Sequence, residues 1–122
     1  MNDAILILED EALIAMDIED TLGRAGYAVL LVCHDVAGAL TEIEKVLPVF
    51  AFLDLNLGQN ETSIEVARAL AAQGVPFCFL SGYTTATVCL PDDLADRPRM
   101  SKPFKSADLI DRVSSALATS ST

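Results

Sequence analysis

Basic side chains are scarce in this 122-residue chain: 8 Lys and Arg stand against 18 Asp and Glu, a formal charge of −10. Such a balance repels nucleic acid and anionic lipid and favours divalent cations and basic protein faces, so no binding to nucleic acid or membrane is expected. Long apolar stretches are missing too. Although 52% of the residues are hydrophobic, no run approaches the ~20 residues that cross a bilayer. The N-terminus enters its first apolar run almost at once, with no basic segment or small-residue cleavage site ahead of it, so a cytoplasmic location is expected. Cys33, Cys78 and Cys89 are odd in number, far apart and without CxxC or His partner spacing. That argues against disulfides or zinc and for reduced, mostly buried thiols. Neither a solenoid-period repeat nor a low-complexity tract is present. The length suits one soluble domain able to bury a core unaided.

Apolar runs and helix-period segments alternate five times, the pattern of βα units around a parallel sheet. Strands are expected near 4–9, 27–33, 49–54, 76–81 and 98–101. The first helix docks through Ile14, Ile18, Leu22 and Ala25 and closes at Gly26. The second runs from an Asp35 cap through Val36, Leu40, Ile43 and Leu47, and Pro48 ends it. The third begins at Thr62, where Thr62 and Glu65 have capping-box spacing, and ends at Gly74-Val75-Pro76. The last starts near Ser106 and presents Leu109, Val113, Ala116 and Leu117, before Thr119–Thr122 frays. Between Tyr83 and Pro98 the β-branched Thr84, Thr85, Thr87 and Val88, with Pro91 and Pro98, disfavour a fourth helix. A mobile loop with one short turn around Asp92–Ala95 is expected there.

Acidic residues end two of the strands: Glu9 and Asp10 after Ile5-Leu6-Ile7-Leu8, and Asp54 after Phe50-Ala51-Phe52-Leu53. Each has an ordinary explanation alone. Acids opening a helix complement its dipole, and a strand leaving the core must end in something polar. In the strand order 2-1-3-4-5 of flavodoxin-like, doubly wound (βα)5 sheets, however, strands one and three meet at the topological switch point, where ligands bind. Three carboxylates brought together there repel by roughly 1–4 kcal/mol per close pair unless a cation intervenes. Magnesium, which prefers oxygen ligands and retains waters, suits such a set. Lys102 adds a point charge, and Ser81, followed by Gly82, adds a hydroxyl donor. Together these residues describe a phosphoryl cradle with Asp54 as nucleophile, giving an aspartyl phosphate.

With these motifs the chain resembles the receiver domain of two-component response regulators along essentially its whole length. The resemblance implies Asp54 as phosphoacceptor, Asp10 as a direct ligand of Mg2+ (or Mn2+), Glu9 acting through water, and the Asn56 backbone carbonyl as a further ligand. It likewise implies Ser81 as the hydroxyl that contacts the phosphoryl group, Lys102 as the family's lysine, and a Lys102-Pro103 peptide bond that is usually cis. Arg99 stands where the family's switch aromatic is usual, and Leu57-Gly58 replaces the common methionine-proline. Phe79-Leu80-Ser81-Gly82-Tyr83 resembles the signature of the atypical "FAT GUY" receivers, whose members commonly pair with HWE or HisKA2 histidine kinases and often lack a stable fourth helix. On this reading Tyr83 replaces the missing aromatic, and phosphorylation draws Ser81 inward and shifts the Tyr83–Arg97 segment.

The resemblance thus implies a receiver domain over 1–118 with a disordered 119–122 tail and no output domain. It would be a stand-alone phosphoacceptor in a phosphorelay rather than an enzyme. Its partners would be a sensor histidine kinase and a downstream protein target reached through the strand 4–helix 4–strand 5 face, or it would serve as a phosphate sink. The expected state is a monomer or a weak phosphorylation-dependent dimer. An aspartate-nucleophile phosphohydrolase is one alternative, but its second aspartate, two residues after the nucleophile, is replaced here by Asn56. A flavodoxin-like cofactor carrier would need hydroxyls and amides where Glu9 and Asp10 stand. A phosphorylation-independent interaction module would have little use for a filled site. His34 is read as a surface histidine, and Arg97 and Arg99 as solvated charges or as steering groups for an acidic partner face.

Overall fold

The computed structural model describes residues 4–55, 62–81, 90–102 and 104–120, with side chains through 118. Five strands, β1 (Ala4–Leu8), β2 (Val29–Cys33), β3 (Phe50–Asp54), β4 (Phe77–Ser81) and β5 (Arg99–Ser101), form one parallel sheet in the order β2-β1-β3-β4-β5. This is the expected flavodoxin-like arrangement, with strand limits within two residues of those read from the sequence. The helices are α1 (Ala12–Arg24), α2 (Val36–Lys45), α3 (Ile64–Ala72) and α4 (Ser106–Ser120). Among the described residues no helix joins β4 to β5. Residues 92–96 form the expected turn, held by Leu94 N–H donating to the Pro91 carbonyl at 2.9 Å. Residues 82–89, which include Gly82 and Tyr83, lie outside the described residues.

Successive side chains of a strand point to opposite faces, and β1 shows why its whole sequence is apolar. Leu6 and Leu8 join Ala51, Leu53, Phe77 and Phe79 under α2 and α3, while Ile5 and Ile7 join Phe50, Phe52, Cys78 and Leu80 under α1 and α4. A strand covered on both faces has no solvent side to mark with polar residues. Edge-to-face ring pairs, Phe50 with Phe52 and Phe77 with Phe79, fill the two layers. Cys33 and Cys78 are buried free thiols, and desolvation pushes each up to about 11, so neither is a ready nucleophile.

Several helix limits differ from the expectation. α2 stops at Lys45 rather than Leu47, because Pro48 forces the residue before it out of helical backbone; Val46 and Leu47 are left 43% and 47% exposed. α3 starts after Ser63, not Thr62, and Ser63 makes no side-chain cap, so the Thr62–Glu65 capping box does not operate. Ala25 lies just past α1 and is exposed, and the buried face of the helix is Ala15, Ile18, Thr21 and Leu22, with Ile14 packed at its edge. α4 keeps helical backbone to Ser120, two residues into the stretch expected to fray.

Two glycines do close helices as expected. After α1 the chain reverses at Gly26 (φ 105°), with Gly26 N–H donating to Gly23 and Tyr27 N–H to Leu22. After α3, Gly74 (φ 74°) repeats the pattern, with Gly74 donating to Ala71 and Val75 to Leu70. Both are Schellman motifs. An added Cβ meets nothing within 4 Å at either position, so the cost of alanine is purely conformational. Gly26→Ala and Gly74→Ala should each lose about 1–2 kcal/mol, measured as a lower urea midpoint at unchanged slope.

Candidate functional site

Because β1 lies between β2 and β3 and Leu8 is paired in register with Leu53, the residues that follow them, Glu9 and Asp54, come side by side at the carboxyl ends of the two strands. Continuing the alternation places Glu9 with Ile5 and Ile7, and Asp54 with Phe50 and Phe52, on the α1–α4 side. Glu9 is 0% exposed and Asp54 3%. Asp10, the next residue, is exposed as the chain turns into α1. One carboxylate oxygen from each of Glu9, Asp10 and Asp54 lies within 4.8 Å of the others. The dipole explanation for these acids weakens accordingly: none falls in the first turn of α1, and Glu9 faces Asp54 instead.

Lys102 follows the short edge strand β5 and extends into the cluster. Its Nζ lies 2.7 Å from Glu9 Oε1 and 3.0 Å from Asp54 Oδ2, with the side chain only 15% exposed. The lysine backbone is tied as well, its N–H donating to the Ser81 carbonyl at 2.7 Å. Ser81, 2% exposed, ends β4 beside Asp54, whose strand continues through Leu55 N–H donating to the Leu80 carbonyl. The two strand-end acids, the lysine and the serine therefore occupy one pole of the sheet, as the sequence suggested. Asn56 and Pro103 lie outside the described residues. Arg99 is an exposed residue of β5, and it lines an open groove with Phe104, Lys105 and Arg112.

The electrostatics follow from burial. Desolvation, with a hydrogen bond to Asp54, raises Glu9 to about 8, and the opposing pull of Lys102 does not cancel it. Burial and the neighbouring Asp54 thus favour the protonated form of Glu9, against the pull of Lys102. Burial works against the charged Lys102, yet its contacts with Glu9 and Asp54 outweigh that and raise it overall. Glu9 Oε2 accepts from the Glu11 N–H at 3.2 Å. Oε1 has Lys102 close by but no aligned donor among the described residues. A buried carboxylate oxygen short of donors, beside two more carboxylates, fits a hard divalent cation.

His34, read from the sequence as a surface histidine, is exposed. Its Nδ1 lies 3.0 Å from the Glu9 backbone oxygen, although its ring does not join the acidic cluster. The strand order puts β2 beside β1, but no side-chain spacing in the sequence specifies this contact with a main-chain oxygen.

No protein-family model matches the chain. It is 28% identical over 122 aligned positions to the transcriptional regulatory protein PdtaR of Mycobacterium tuberculosis, an alignment covering 93% of this chain and 56% of PdtaR. The chain thus spans about half the length of that curated relative. SdrG from Sphingomonas melonis Fr1, solved in solution, is 37% identical with a TM-score of 0.81, covering 94% of this chain and 96% of SdrG. The crystal structure of a response regulator receiver protein from Sinorhizobium medicae is 28% identical with a TM-score of 0.78, covering 95% and 94%. With this likeness over nearly the whole length, the parallel sheet of that order and the acidic pole it creates, the chain belongs to the response regulator receiver family.

Proposed function

We propose that this receiver takes a phosphoryl group from a histidine kinase onto Asp54 and transmits the change to a protein partner. The observation that supports this most is the convergence of Lys102 on Asp54 and Glu9, two carboxylates from distant stretches lying within 3.0 Å of its ammonium group. An Asp54 carboxylate oxygen attacks phosphorus, the P–N bond to the donor imidazole breaks, and the imidazole nitrogen keeps the electron pair and takes up a proton. Lys102 offsets charge gathering on the phosphoryl oxygens, and the Ser81 hydroxyl donates to one of them. Asp10, Asp54 and the Asn56 carbonyl would hold Mg2+ (or Mn2+), with Glu9 reaching it through water. When bound, the ion neutralises phosphoryl charge and orients the group for in-line attack. Glu9 and Asp10 shape the entrance without becoming nucleophiles.

The finer reading places the chain in the "FAT GUY" subgroup, with an HWE or HisKA2 kinase as donor. It rests on Phe79-Leu80-Ser81-Gly82-Tyr83 and on the turn, not a helix, over residues 92–96. Intact-mass spectrometry after incubation with acetyl phosphate tests the main proposal. One phosphoryl adduct should form with MgCl2 and none in excess EDTA. Equal adduct in both, or none with magnesium, rejects it. Sustained turnover of a phosphate monoester would favour the phosphohydrolase instead.

A further inference from the structure

Parallel pairing between β1 and β2 ends at Leu8 and Cys33. One more rung follows, Glu9 N–H donating to the Cys33 carbonyl at 3.0 Å. In a continuing parallel ladder the next donor, to the Glu9 carbonyl, would be the amide of residue 35. Asp35 instead caps α2, its carboxylate accepting from Gly38 N–H at 2.7 Å. The His34 ring supplies a donor in its place: Nδ1 lies 3.0 Å from the Glu9 oxygen, and because a carbonyl only accepts, that nitrogen carries the hydrogen. A side chain thus prolongs the sheet by half a rung at the point where the acidic pole begins.

We propose that His34 is a positioning residue for the acidic site and acts through the peptide joining Glu9 to Asp10. The Glu9 carbonyl and the Asp10 amide share one rigid plane. Fixing the oxygen fixes the direction in which the Asp10 side chain leaves the backbone. Glu9 is otherwise held by burial, by the Cys33 carbonyl, by the Glu11 amide and by Lys102. Asp10 is exposed, so the peptide plane is its main restraint. Without His34 the plane can tilt, and the Asp10 oxygen spends less time beside those of Glu9 and Asp54. The inference rests on reading this cluster as a divalent-cation site.

Calorimetric titration of MgCl2 into the metal-free protein, with amide hydrogen exchange, tests it in His34→Ala, His34→Gln and His34→Asn. The Asn amide nitrogen, like Nδ1, is one bond beyond Cγ, whereas the Gln nitrogen is one bond further out. Ala and Gln should bind Mg2+ about five-fold more weakly, the usual effect of one net hydrogen bond, and Asn should restore binding. In the metal-free state, exchange at the Asp10 and Glu11 amides should quicken in Ala and Gln, return to normal in Asn, and leave β3 unchanged. Normal exchange in His34→Ala, or an Asn variant as defective as Ala, overturns the proposal. Asp10→Ala serves as the control: if it binds Mg2+ normally, the cation-site reading fails, and the exchange comparison still decides the role of His34.

Discussion

Asp54→Asn should give no phosphoryl adduct with acetyl phosphate and magnesium, while Lys102→Ala should still give one, formed about 10²–10³-fold more slowly. The two effects differ because the two side chains do different things. An amide oxygen at position 54 keeps the shape of the group but lacks the anionic nucleophile, so no other residue can complete the P–O bond. Losing Lys102 removes a charge-stabilising partner, and losses of single donors of this kind fall in that range. Lys102→Ala carries a second, opposite consequence. In the metal-free protein the ammonium occupies the Glu9 and Asp54 oxygens at 2.7 and 3.0 Å, so it competes with a divalent ion for them. The variant should therefore bind Mg2+ at least as tightly as wild type while reacting slowly. Weaker magnesium binding in Lys102→Ala would mean that the lysine holds the site together rather than serving the phosphoryl group. An adduct on Asp54→Asn, mapped elsewhere, would remove Asp54 from its proposed role.

A large pH effect on stability is expected in the metal-free protein, with a sign opposite to the usual carboxylate. Glu9 titrates near 4.5 when the chain is unfolded and near 8 when burial and Asp54 hold its proton. Between those values the folded state binds the extra proton, so folding is favoured at the acid end and that contribution is lost as pH rises through about 8. Lys102, raised above 10.5, contributes in the same direction but loses its share only at higher pH. The melting temperature in EDTA should therefore fall from pH 5 toward pH 9, by at most about 1.4 kcal/mol per pH unit in free energy. Glu9→Gln, an uncharged mimic of the protonated acid, should flatten the slope. Magnesium should reverse the trend, since it competes with the proton and stabilises more as Glu9 ionises. A wild-type slope equal to that of Glu9→Gln would show that Glu9 is already ionised in the folded protein.

Much of this was legible in the chain because the chemistry sits at strand ends, where apolar runs stop abruptly. Ile5 to Leu8 and Phe50 to Leu53 locate buried strands by length and β-forming character, and the acids that follow locate the carboxyl edge. The strand order turned two sequence-distant acids into neighbours, and the sheet has that order. Local features at helix ends were less legible. Leu47 fits the helical period but stands before Pro48, and the steric rule on the residue before proline outweighs periodicity. Thr62 and Glu65 have the right spacing for a box, yet the backbone enters α3 one residue later. His34 was legible as a surface residue, and it is exposed, but its contact with a main-chain oxygen 25 residues away was not, because side-chain spacing carries no record of it. The Ala25 misplacement has a similar origin: a small residue in the apolar stripe lies beyond the helix end, where the stripe has left the core.

One short contact has a mechanical consequence. The Lys102 amide is fastened to the Ser81 carbonyl at 2.7 Å, so the hydroxyl-bearing residue and the ammonium-bearing residue share one backbone joint. Displacing either backbone would strain that joint, so a shift at one would bear on the other, like the two ends of a lever. The pivot of that lever is the three-residue β5, the shortest strand in the sheet and therefore the least costly to shift.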